Sequence, residues 1–185
     1  MAGQRADARR NYALLLAVAE QAVADQGADA SLEQIARTAG VGSGTVRRHF
    51  PTRHALLEAV FRKRMDTLAD RARELAGRPD SPAALLEWLG AVLSFAATTR
   101  GVAEALNRGH LADAGEFCAS ARLSEAGGPL VARAVAGGGL APGVTIADLL
   151  DLITGIALAT EHHPDGVDQA KRLLDLTING VSGPA

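Results

Sequence analysis

Apolar residues recur at spacings of three and four in segment after segment, and the alternation that marks strands is nearly absent, so the pattern predicts an all-α fold. A first helix is expected from about Arg9 to Gln26, with Leu15, Ala19, Ala22 and Val23 facing inward and Gly27 closing its C-terminus. Ser31 opens a second, short helix, with Gln34 completing a capping box, and Gly40 ends it. A long helix after Pro51 carries Leu56, Leu57, Val60, Phe61, Leu68 and Leu75 in register and stops in the stretch of Gly77, Pro79 and Pro82. Ser81 and Pro82 read as the N-cap and first position of the next helix, whose apolar stripe is Trp88, Leu89, Val92, Leu93 and Ala96.

From Arg100 to Gly139 the pattern is helical but less regular, with an interruption expected at Gly127, Gly128 and Pro129. Two helices close the chain. Thr145 with Asp148 caps one that carries Ile146, Leu149, Leu150, Ile153, Ile156 and Leu158 and is ended by Pro164. Asp165 starts the other, with Val167, Leu173, Leu174, Leu176 and Ile178 before Gly180. Adjacent apolar pairs such as Leu149 with Leu150, or Leu173 with Leu174, predict that each of these helices buries two faces, one on its own core and one on a partner.

The most specific segment is Ser31 to Phe50, SLEQIARTAGVGSGTVRRHF, which reads as two short helices crossing at a steep angle. Ile35, Ala36, Val41 and Val46 are its buried contacts, and Gly40 supplies a left-handed turn. The second helix, about Ser43 to His49, has the form of a recognition helix that enters a DNA major groove with its N-terminal end toward the bases.

Composition adds a constraint and a direction. The 185 residues are 48% hydrophobic with mixed charge, which fits a soluble globular protein, and with four Phe, one Tyr and one Trp the core must be built from Ala, Leu, Val and Ile. The net charge of -2 alone argues against a nucleic-acid binder, but residues 1–80 carry 13 Lys and Arg against 10 Asp and Glu, while residues 81–185 carry 6 against 11. Basic charge is thus concentrated where a groove would be met. The single cysteine, Cys118, excludes an intramolecular disulfide and suits a reducing cytosol. Arg9 and Arg10 ahead of the run Ala13 to Ala19 look like the start of a signal peptide, but Glu20 interrupts the run and the pattern continues as an amphipathic helix. No stretch approaches the ~20 apolar residues of a membrane span.

From Arg9 to Val60 the sequence resembles the TetR family of transcriptional regulators, in which a short first helix, this helix-turn-helix and a His-Phe-Pro ending lead into a long fourth helix. The run Thr45 to Pro51, followed by Arg53, Ala55, Leu56 and Leu57, carries most of the likeness. The resemblance implies a DNA-binding domain over 1–52 and a helical ligand-binding and dimerisation domain over 53–185, with helix 53–76 joining the two. It also implies a bacterial, cytoplasmic, non-enzymatic regulator that represses an operator in double-stranded DNA. Thr45 and His49 resemble phosphate-contacting positions, Ser43 and Gly44 lie on the face nearest the bases, and Arg37, Arg48 and Arg53 are further candidates for DNA contact. Arg47 stands where the family commonly has Tyr, and its guanidinium suits either a phosphate or a guanine edge. Gly42 stands where a Ser or Thr cap is commoner.

The same resemblance implies that the last two helices pair with those of a second copy as a four-helix bundle, with Leu149, Ile153, Ile156, Leu173, Leu174 and Ile178 at the interface. It implies a small-molecule effector as well. Trp88, Phe95, Thr99, His110, Phe117 and Cys118 are the candidate lining, and the scarcity of charge among them points to a largely apolar ligand. A regulator controlled by its own concentration or by a protein partner is the alternative. For catalysis or a metal the candidates are His110, Asp113, Glu116 and Cys118, or Glu161, His162 and His163. His110 and Asp113 share a helix face but two ligands do not make a zinc site, and His162 and His163 read as a helix C-terminus. No metal or other cofactor is called for.

Overall fold

The computed structural model describes residues 2–27, 30–98 and 119–179, and every regular element among them is a helix. They are α1 (Ala2–Gln26), α2 (Leu32–Thr38), α3 (Ser43–His49), α4 (Arg53–Leu75), α5 (Ser81–Thr98), α6 (Ala119–Ala136), α7 (Ile146–Thr160) and α8 (Gly166–Asn179). The chain divides into two compact units, residues 1–63 and 64–185, so the division falls inside α4. The first helix starts at Ala2, seven residues ahead of the sequence expectation, because apolar periodicity registers only the part of a helix that packs.

The N-terminal unit is built on one cluster. Leu15, Ala19 and Val23 of α1, Ile35 and Ala36 of α2, Val46 of α3, Phe50, and Leu56 and Val60 of α4 are all buried in it, with Ala22, Val41 and Leu57 packed at its edge. Gly27, at φ 63°, ends α1 in the left-handed conformation expected of it.

In the C-terminal unit α5 is central and packs against α6, α7 and α8. Its sequence explains the position: Ala84, Leu85, Trp88, Leu89, Val92, Leu93, Phe95 and Ala96 are buried, a stripe too broad for a surface helix. The cap of α5 is Asp80 rather than Ser81: its carboxylate accepts from the Ala83 N–H at 3.1 Å. Asp80 is the stronger cap because its carboxylate is charged. Ser81 sits inside the first turn, where its hydroxyl donates to the Arg133 carbonyl at 3.3 Å.

The break expected at Gly127, Gly128 and Pro129 is absent, and all three lie inside α6. Pro129 removes one helical N–H, leaving the Glu125 carbonyl without its partner on an exposed residue that water can reach. Gly127 has a packing reason: a β-carbon there would lie 2.4 Å from Trp88 Cη2 and 2.9 Å from Ile146 Cδ1. The helix ends at Gly138, φ 73°, where the N–H groups of Gly138 and Gly139 donate to Val135 and Ala134 in a Schellman arrangement.

Between α4 and α5 a set of charged groups is joined across the surface. Arg71 pairs with Glu74 at 2.9 Å and also with Glu87, which in turn pairs with Arg78 at 2.7 Å. The hydrogen bond from Arg71 holds the Glu87 carboxyl below the ordinary carboxylate range. At the residue after Glu87 the Trp88 indole donates to the Leu68 carbonyl at 2.8 Å. At the start of α7 the expected capping box is complete: Thr145 and Asp148 exchange hydrogen bonds, and those from the Thr145 hydroxyl and N–H lower the Asp148 pKa.

Candidate nucleic-acid interface

The turn between α2 and α3 is fixed by local chemistry. Ser31 accepts from the Gln34 N–H at 3.4 Å and starts α2. Gly40, at φ 67°, ends it, with the Gly40 N–H donating to Arg37 at 3.2 Å and the Val41 N–H to Ala36 at 3.0 Å. These two bonds form the Schellman motif that a left-handed residue permits. The next helix begins two residues later at an N-cap, Gly42, that has no side chain to offer, so the Thr45 N–H is met by the Gly42 carbonyl alone at 2.9 Å.

Val46, 1% exposed, anchors α3 to the core, and Phe50 secures the residue after its last turn. This orientation leaves Ser43, Gly44, Arg47 and Arg48 exposed, with Thr45 and His49 half-buried. A β-carbon at Gly42 or Gly44 would meet nothing within 4 Å, so the N-terminal end of α3 is a bare surface that another molecule can approach closely. Arg47, Arg48 and His49 all belong to the last turn, where the helix dipole favours positive charge. Arg37 is exposed in the last turn of α2, and Arg53 is exposed at the start of α4, whose first turn is capped by Thr52 accepting from the Ala55 N–H at 3.0 Å.

All eight residues expected at a DNA surface therefore lie within or beside α2, α3 and the start of α4 in one unit. Tyr12 of α1 was missed. Its ring packs on His49 and Phe50, with centroids 5.6 and 5.7 Å away, and the signal for it was an aromatic residue on an amphipathic helix in a chain that has one Tyr. On the same unit an open cleft of about 360 Å³ separates α1 from α2, floored by Ile35 and edged by Gln21, whose amide donates to Asp25 at 2.8 Å.

The other candidates divide. Trp88 is 0% exposed, filled in against Gly127 and Ile146 and hydrogen-bonded to Leu68, which makes it a core residue rather than the wall of an open cavity. Phe95 is 6% exposed and lies under the Arg64 guanidinium, 5.7 Å from its ring centroid. Thr99, His110, Phe117 and Cys118 lie outside the described residues, as do Asp113 and Glu116. His162 and His163 fall in the turn after α7, and the His163 ring accepts from the Asp165 N–H at 3.2 Å.

Of the residues expected at a dimer interface, Ile153, Ile156 and Leu174 are buried within the protomer itself. Leu149, Leu173 and Ile178 are half-buried, and the large apolar residues exposed on these two helices are Leu158, 43% exposed, and Leu176, 37% exposed. Gly155, with nothing within 4 Å of a would-be β-carbon, and Ala159 lie beside Leu158 on the exposed side of α7. Among the described residues no helix is long and apolar enough to cross a membrane.

Comparison with known proteins agrees with this geometry. Residues 15–60 match the family model for bacterial regulatory proteins of the tetR family, and residues 80–182 match that for the C-terminal domain of SbtR-like transcriptional regulators. The solved structure of a TetR transcriptional regulator from Streptomyces coelicolor is 34% identical over 94% of this chain and 99% of its own, with a TM-score of 0.71. A TetR transcription regulatory protein from Mycobacterium vanbaalenii is 35% identical over 85% of this chain and 96% of its own, with a TM-score of 0.66. The regulator FadR from Bacillus subtilis, solved in complex with stearoyl-CoA, shares the fold at 18% identity, covering 92% of this chain and 100% of its own with a TM-score of 0.56. No curated protein matches. With its two family domains in this order and an exposed recognition helix held by Val46, the chain belongs to the TetR family of DNA-binding transcriptional regulators.

Proposed function

We propose that the protein is a repressor that binds a pseudo-palindromic operator as a homodimer and releases it when a small, largely apolar effector occupies the C-terminal unit. The observation that carries the DNA part is the exposure of Ser43, Gly44, Arg47 and Arg48 on a helix whose opposite side is anchored by Val46. In this reading Ser43 and Gly44 bring the helix backbone to the base edges. Thr45 and His49 hold phosphates, while Arg37, Arg48 and Arg53 add charge along the backbone. Arg47 takes either a phosphate or a guanine edge, and the salt series below separates the two.

Dimerisation through α7 and α8 is supported by the open side chains of Leu158 and Leu176 and by Gly155, where a second helix meets no obstruction. Two copies present two recognition helices, which is what a two-fold-symmetric operator requires. The apolar effector is supported by the scarcity of charge in residues 84–98 and by a structure of the same fold that holds stearoyl-CoA. Such a ligand acts only through a preference for one spacing of the two DNA-binding units. Control by concentration or a protein partner is the competing reading, and a thermal-shift screen against apolar small molecules distinguishes the two, since a cognate ligand raises stability by mass action. The site of action is the bacterial cytoplasm, where the operator lies.

The first test is to sequence the genomic fragments retained by the purified protein across a salt series. Enrichment of a pseudo-palindrome is expected, with affinity falling steeply as salt rises. For the Arg47→Ala variant, a phosphate contact predicts a slope shallower by about 0.9 in log Kd against log salt. A base contact instead predicts relaxed sequence preference at one position. Failure to enrich any sequence at low salt would sink the proposal.

A further inference from the structure

Three aromatic rings meet where α3 ends. Tyr12 of α1 lies 5.6 Å from His49, centroid to centroid, with the planes tilted by 58°, and 5.7 Å from Phe50, tilted by 39°. His49 and Phe50 are themselves 6.4 Å apart. Phe50 is 1% exposed and part of the core, whereas Tyr12 is 38% exposed and His49 half-buried. These are the separations at which aromatic rings attract by edge and face. The half-buried imidazole thus has a buried ring and a surface ring as neighbours.

We propose that Tyr12 is a positioning residue for DNA recognition: its ring, supported from below by Phe50, holds the His49 imidazole in the orientation that meets the backbone. The proposal rests on the reading of His49 as a phosphate contact. Its physical basis is the length of α3. A seven-residue helix has no intrinsic stability, so the orientation of its last residue, His49, depends on tertiary contacts. The Tyr12 ring supplies such a contact while the protein folds, so the ordering cost is not subtracted from DNA affinity. It also adds a surface contact between α1 and the end of the recognition helix to the buried one that Leu15, Ala19 and Val23 share with Val46 and Phe50. The ring performs this role, so the hydroxyl is dispensable.

The test is a double-mutant cycle on the full chain. Its probe is the operator duplex recovered by fragment enrichment, with affinity read by fluorescence anisotropy and thermal midpoints recorded beside it. Tyr12→Leu and His49→Gln are each expected to weaken binding about 3- to 10-fold, the scale of one aromatic or polar contact. The double variant should bind no more weakly than His49→Gln, because two residues acting as a unit do not combine additively. Tyr12→Phe should stay within about twofold of wild type, the precision of such a comparison. If the Tyr12→Leu loss persists in the His49→Gln background, Tyr12 acts without His49 and the proposal is overturned, while the His49 reading stands. If Tyr12→Phe loses as much as Tyr12→Leu, the hydroxyl makes its own contact and the proposal is equally overturned. Wild-type affinity in His49→Gln removes the phosphate reading and the proposal with it. Should Tyr12→Leu fail to fold, Tyr12→Met repeats the cycle with a flexible apolar side chain.

Discussion

Replacing Gly127 by Ala adds one methyl group where a buried indole leaves no room for it. In an open helix the change stabilises by about 1 kcal/mol, because glycine loses more backbone entropy on folding. Here the new carbon would lie 2.4 Å from Trp88 Cη2, 2.6 Å from Cζ3 and 2.9 Å from Ile146 Cδ1, against the ~3.5–4.0 Å at which carbon atoms attract. The ring must retreat by about 1 Å to restore that separation. It is 0% exposed and held by its bond to the Leu68 carbonyl at 2.8 Å. Overpacking of this kind costs about 1–3 kcal/mol, and stranding the buried indole N–H costs about 1–3 more. After the helix-propensity gain, the net loss is about 1–5 kcal/mol. A mid-range loss of ~3 kcal/mol lowers Tm by about 6–12 °C in a chain of this size.

The control is Gly90→Ala in α5, where a β-carbon meets nothing within 4 Å and the propensity gain should stand alone. Both variants are read by thermal and urea unfolding at fixed protomer concentration, which holds any contribution from self-association constant. Because Trp88 is the one tryptophan in the sequence, its emission reports on this site directly, and a red shift is expected in Gly127→Ala but not in Gly90→Ala. A Gly127→Ala protein as stable as wild type with unchanged emission would refute the reasoning. It would mean free space beside the indole and restore Trp88 as a candidate wall of the effector cavity.

Other perturbations test the rest of the structure. Gly40→Ala has room for its methyl group but must adopt φ 67°, so it should lose about 1–2 kcal/mol in chemical denaturation and weaken operator binding by disordering the approach to α3. Since the Glu87 carboxyl is held below its ordinary range, chiefly by the hydrogen bond from Arg71, its contribution is complete above the unfolded value near ~4.3 and is lost as pH falls through the folded value. Glu87→Gln should therefore lower stability slightly at neutral pH, as expected for an exposed pair, and flatten the acid limb below the ~4.3 of a free carboxyl by the same small amount. Leu158→Glu combined with Leu176→Glu should shift the protein to a monomer in sedimentation and weaken operator binding, with the protomer fold intact by circular dichroism; retention of a dimer would place the interface elsewhere.

Much of this protein is written in local pattern. The helix-turn-helix was legible because its parts are short-range: Ser31 and Gln34 three apart, a glycine at the one position that needs a positive φ, and Val46 spaced to face Ile35 and Ala36. The capping box of Thr145 and Asp148 is equally local. At the cap of α5 the local reading chose Ser81, ahead of Pro82, whereas Asp80 is the residue that accepts from the Ala83 N–H and Ser81 bonds instead to the distant Arg133 carbonyl.

Tertiary structure decided what depends on neighbours distant in the chain. Glycine and proline at 127–129 signal a break when read alone, yet the helix continues because Gly127 admits the Trp88 ring, a contact 39 residues away in sequence. Trp88, a candidate for the pocket though such a residue is more often core, is assigned only when Leu68 and Ile146 are placed around it. The same holds for α7 and α8, where the pattern declared two apolar faces and Ile153, Ile156 and Leu174 were expected on the one that meets a partner. Packing against α5 took Ile153, Ile156 and Leu174 inward and left Leu158 and Leu176 open. Tyr12 met His49 only when α1 folded against α3. Periodicity fixes which residues share a helix face, because backbone geometry is local; which face meets which neighbour is set by burial of the whole chain, and no window of sequence contains it.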